Sequence, residues 1–139
     1  MRNTVLTLLF FLAAHTLSAQ SIIGTWEGDD GDQIGSIIFD NDGYCTFVVG
    51  NQVMGGKEFE SDGKKGKMEY VIDESTTPIA ITLTITKFAT ADEAESTSSM
   101  YGLIEFIDDD NIKMALGNPE QKVTEFTPNN SIALTRKDD

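Results

Sequence analysis

From Gly24 onward the hydrophobic positions recur every second residue, not every third or fourth. "PIAITLTITK" sends Ile79, Ile81, Leu83 and Ile85 one way and Ala80, Thr82, Thr84 and Thr86 the other. That is the alternation of a β-branched strand with one core face. "KMEYVID" repeats it with Met68, Tyr70 and Ile72, "NIKMALG" with Ile112, Met114 and Leu116, and "SIALTRK" with Ile132, Leu134 and Arg136. Between these runs lie "DNDG" at 40–43, "GNQ" at 50–52, "SDGKKG" at 61–66 and "DDDN" at 108–111. These residues tolerate tight or left-handed backbone and punctuate hairpins. Eight or nine strands follow, at about 24–29, 34–39, 44–49, 53–59, 67–73, 79–87, 101–107, 111–116 and 131–137. Short, regularly spaced strands of this kind predict an all-β antiparallel meander closing as an up-and-down barrel.

One stretch breaks the pattern. "ATADEAESTSS" has Thr90 followed by Glu93, the spacing of a capping box, which predicts a helical turn over 91–96 or else a polar loop. As the longest hydrophilic connection, 88–99 is also the candidate lid over any cavity.

The chain begins differently. Arg2, the apolar run Val5–Ala14 and the small residues around Ser18-Ala19 have the layout of a secretory signal peptide, with cleavage expected after Ala19. The apolar run is shorter than the ~20 residues of a membrane span. Residues 20–139 are then one domain, periplasmic or extracellular, with no insertion into a membrane after cleavage and a monomeric state expected. A domain of that size buries enough surface to fold without a metal or disulfide. The single cysteine, Cys45 in "YCTFVV", excludes an intramolecular disulfide and reads as a small core residue.

Charge narrows the partners. The net charge is −13, and removing Arg2 with the leader leaves −14. Such a surface repels phosphate backbones, so nucleic acid is not an expected partner. The only histidine, His15, lies in the leader, which removes Ser-His-Asp, Cys-His and the usual zinc sites. No glycine-rich loop opens a helix, so a nucleotide cradle is not expected either. Glu105, between Ile104 and Phe106, is the one carboxylate in an apolar setting and is expected to point outward. "DDGD" at 29–32, "DNDG" and "DDDN" offer oxygen ligands for Ca²⁺ but fit no EF-hand loop, and read as turns. The expectation is a protein that is not an enzyme and carries no cofactor or metal.

Two residues stand out by position. Trp26, the only tryptophan, opens the first strand; Arg136 shares the inward face of the last with Ile132 and Leu134. First and last strands are neighbours in a closed barrel. A guanidinium over an indole, worth about 1–2 kcal/mol when partly desolvated, would cover one end. The alternative is an Arg136 that frays outward with the tail.

"GTW" at 24–26, "YVIDESTTPIAITLT" at 70–84, "YGLIEFIDDDNIKMAL" at 101–116, "TEF" at 124–126 and "LTR" at 134–136 occur in an order and spacing that resemble exported bacterial lipocalin-like domains of unknown function. One position departs: Lys122-Val123 stands where such domains often carry Arg-Pro. The resemblance implies a calycin-type barrel in an exported setting and transfers no catalytic residue. A barrel of this size is filled by side chains or holds one small ligand. The expected lining of a cavity is Met68, Tyr70, Ile81, Leu83, Phe106, Met114 and Leu134, with a small apolar or amphipathic ligand as partner. The same residues would build a solid core, and the protein would then act through its loops as an interaction or inhibitor module.

Overall fold

A computed structural model describes residues 21–28, 35–90, 92–118 and 120–137. The expected leader at 1–19 and the "DDGD" turn lie outside the described residues. The described chain is all-β, with ten strands: β1 Gly24–Gly28, β2 Ser36–Phe39, β3 Cys45–Val49, β4 Gln52–Gly55, β5 Phe59–Ser61, β6 Lys64–Asp73, β7 Ile79–Thr90, β8 Glu93–Phe106, β9 Asn111–Gly117 and β10 Ser131–Arg136. All pairings are antiparallel, in the order β4-β3-β2-β1-β10-β9-β8-β7-β6-β5. First and last strands pair with Trp26 opposite Arg136. The barrel is nearly closed. Its seam lies between the β3–β4 and β5–β6 hairpins, where Met68 N–H donates to Gly56 O and Tyr70 N–H to Gly43 O, each at 2.9 Å.

Ten strands replace the expected eight or nine because the single run at 53–59 is two strands. Gly55 and Gly56 both hold positive φ, 105° and 81°, and bend the chain out of the ladder. A Cβ on Gly55 would sit 2.4 Å from Cys45 O, so only glycine allows this approach.

The helical turn at 91–96 is a further correction. β7 and β8 form one long hairpin, with Thr86 opposite Thr97, Ile85 opposite Ser98 and Thr84 opposite Ser99. Thr84 and Ser99 hydroxyls meet at 3.3 Å. The capping-box spacing has no apolar face behind it, whereas β7 offers 93–98 a ladder of backbone partners, irregular only around Phe88 where the register shifts past Glu95. The 88–99 stretch is therefore mostly strand and not a flap over the barrel mouth.

Inward residues make one core. Trp26, Ile37, Phe39, Cys45, Met68, Ile81, Leu83, Ile104, Ile112, Met114 and Leu134 are buried in a single cluster, joined by Ile22 from before β1. Outside the barrel, the segment after β9 folds back on β8 and β9. Lys122 Nζ lies 4.6 Å above the Tyr101 ring and Lys113 Nζ 4.5 Å from that of Phe126.

Candidate functional site

The chemistry gathers at the end of the barrel where β1 begins and β10 stops. Trp26 is fully buried, its ring edge-on to Phe106 with centroids 6.4 Å apart. Its indole N–H donates to Ile22 O at 2.8 Å, which folds the residues before β1 back over the barrel end. Arg136 lays its guanidinium over the indole, 4.3 Å from the ring centroid. Its Nη1 donates to Ile23 O and its Nη2 to Ser21 O, both at 2.8 Å. Nε and Nη2 donate to Asp109 O at 3.2 Å, and Nε lies 3.6 Å from the Asp110 carboxylate. One planar cation thus ties three segments: the approach to β1, the β9 hairpin and the indole. Gly24 makes room, since a Cβ there would meet Arg136 Nη1 at 2.8 Å.

Beside this clamp is a cleft of about 340 Å³ between residues 21–23 and the ends of β6, β7 and β8. Ile22, Ile23, Tyr70, Ile72, Ile79, Ile104 and Phe106 line it, with Ser21 and Glu74 at the polar side. Tyr70 is held by its hydroxyl, which donates to Asp40 O at 2.7 Å, and by an edge contact with Phe39 at 4.9 Å. Burial, and then the charges of Asp40 and Cys45, push its phenol above the ordinary pKa.

Of the seven residues expected to line a cavity, only Tyr70 and Phe106 reach this cleft. Met68, Ile81, Leu83, Met114 and Leu134 are at most 1 % exposed and pack on one another and on Trp26 in the core. The sequence reading did not single out Ile22, Ile23, Ile72, Glu74 or Ile79 as a site. The available signal was the apolar pair Ile22-Ile23 between the leader and "GTW", too short to show a period.

The acidic turns use their oxygens locally. Asp40 Oδ1 accepts from the N–H groups of Asp42 and Tyr44 at 2.9 and 2.8 Å. Asp108 accepts from the Asn111 amide and from Asp110 N–H, which in that order hold its carboxyl below the usual range. Glu105 is exposed on the outer face opposite Lys113. Among the described residues no group of three or more His, Cys, Asp or Glu side chains is placed to hold a metal ion.

Cys45 is fully buried, and desolvation, with Asp40 adding to it, pushes its thiol from 9.0 up to about 12. Between those values the unfolded chain has lost the thiol proton and the folded chain keeps it, so stability falls as pH rises from 9 towards 12. Urea titrations at stepped pH should therefore show a steeper alkaline loss in the native chain than in Cys45→Ala. Equal slopes would contradict the burial of the thiol.

In comparisons with protein-family models, with curated proteins and with solved structures, the chain matches none.

Proposed function

We propose that this chain is an exported, non-enzymatic lipocalin-like binding protein whose ligand sits in the cleft between residues 21–23 and Tyr70, Ile79 and Phe106. The observation that carries this reading is the cleft itself. At about 340 Å³ it falls at the small end of ligand sites, which run from about 300 to 1,000 Å³. Its wall is apolar and aromatic, and it lies against a rigid clamp. Among the described residues Glu74 is the only charged side chain on it, and the chain as a whole carries −13. A carboxylate or sulfate head would meet repulsion there, so the ligand is a small apolar or amphipathic molecule that is neutral or cationic.

Calorimetric titration with decanol, decylamine and decanoate tests this. Saturable binding of the first two is expected, with decanoate weaker by about tenfold, the factor that corresponds to 1.4 kcal/mol. Ile23 is 42 % exposed, so Ile23→Asp should abolish binding while leaving the circular dichroism unchanged. Failure of all three probes to bind would overturn the reading.

The solid core favours a second reading. With Met68, Ile81, Leu83, Met114 and Leu134 closely buried together, the barrel interior resembles a scaffold more than a calyx. On that reading the protein is an interaction or inhibitor module acting through its surface. It is the reading that remains if no probe binds.

A further inference from the structure

The hairpin β3–β4 differs from every other in the chain. Gly43 to Gly56 holds no charged side chain, the longest such run beyond Trp26 in a chain that is 24 % charged. The next longest, 75–86, lies mainly within β7, which has a strand on each side. By contrast β4 is the terminal strand of the sheet, hydrogen-bonded only to β3. Val53 is 63 % exposed, Val49 46 % and Met54 45 %.

Hydrogen-bond phase fixes what the edge offers. Gly56 N–H donates to Cys45 O at 2.7 Å, so Cys45 and Gly56 are a hydrogen-bonded pair. Alternating along the register, Phe47 and Met54 are bonded, and Val48 and Val53 are not. Val53 therefore directs its own N–H and C=O away from β3, towards the free edge. Exposed edges are ordinarily blunted by Lys, Pro, an inward charge or a bulge. Gln52, Val53 and Met54 have none of these, so the edge is limited only by its four-residue length and the bend at Gly55.

We propose that β4 is an interface between two copies of this chain, paired antiparallel about a two-fold axis with Val53 opposite the second copy's Val53. Two arguments select a second copy. The pairing is self-complementary, since each Val53 supplies one N–H and one C=O to the other, as a two-fold interface requires. Two leaderless bodies of charge −14 also repel least where neither presents a charge, and this hairpin carries no charged side chain from Gly43 to Gly56. The strand pairing contributes the bonds, and Val53 with its mate contributes the apolar contact.

Analytical ultracentrifugation of the leaderless chain at micromolar and submillimolar concentration is the test. A species of twice the chain mass is expected, and its share should grow from about 0.02 M to about 0.5 M salt as repulsion between the two bodies is screened. Val53→Lys puts two like charges on the axis and should weaken the dimer by at least about tenfold, whereas Val53→Thr should keep it. Amide hydrogen exchange of the unsubstituted chain gives an independent readout. The Val53 N–H should become protected as concentration rises, while the core of β7 does not change. A monomer at all concentrations, a Val53→Lys dimer of undiminished strength, or a concentration-independent Val53 amide would each overturn the proposal. A monomer would direct the search to a strand from a different protein.

Discussion

Replacing Trp26 with alanine is expected to lower the unfolding free energy by about 3–5 kcal/mol, the range for deleting a buried aromatic side chain. The ring has no solvent contact, and four kinds of interaction end with it: the core packing, the edge contact to Phe106, the bond to Ile22 O and the floor beneath Arg136. Domains of this kind hold about 5–15 kcal/mol in total, so the loss takes at least about a fifth of it. Urea unfolding followed by circular dichroism measures the change without needing the indole. Trp26→Phe should recover part of it, because packing returns while the N–H bond to Ile22 O does not. A loss below about 1 kcal/mol would contradict the placement of the ring at the centre of the closure.

Arg136→Ala should cost about 2–3 kcal/mol, less than Trp26→Ala but well above a surface substitution. A full value per charged hydrogen bond would overstate it, since the side chain is 25 % exposed and water can replace part of what is lost. The substitution unties Ser21 O, Ile23 O and Asp109 O together and uncovers the indole. Faster amide exchange around 21–25 and a red-shifted Trp26 emission should accompany the lower melting temperature. Arg136→Lys should restore less than half, because an ammonium is a point donor and cannot reach three carbonyls from one plane. An unchanged melting temperature would mean that the clamp carries no stability.

The strands that alternate one apolar and one polar face are visible in the sequence, because burial on one side leaves a period of two. β6, β7, β9 and β10 all have it. The adjacency of β1 and β10 follows from closing such a meander, and the inward position of Arg136 from its parity with Ile132 and Leu134. The start of β8 is different: 93–98 is polar on both faces, so no alternation marks it, and it is a strand because β7 pairs with it. The break between β4 and β5 depends on the φ values of two glycines, which "GG" permits but does not require.

For the candidate site, inwardness was legible at all seven positions expected to line a cavity, but emptiness was not. Whether inward Met68, Leu83 and Met114 surround a void or fill it depends on the radius and tilt of the sheet, which no single side chain records. The cleft is made by residues 21–23 arriving over the barrel end, and that arrival depends on an arginine more than a hundred positions away.

That distance has a consequence for the order of assembly. The bonds from Arg136 to Ile23 and Ser21 span 113 and 115 positions, and β1 can complete its ladder only against the last strand. Contacts of such separation form late and make all-β domains slow to fold. While a ribosome still holds β10, the described strands are a set of hairpins without a fastener. Of the ten described strands, the one made after the other nine is the one that locks β1.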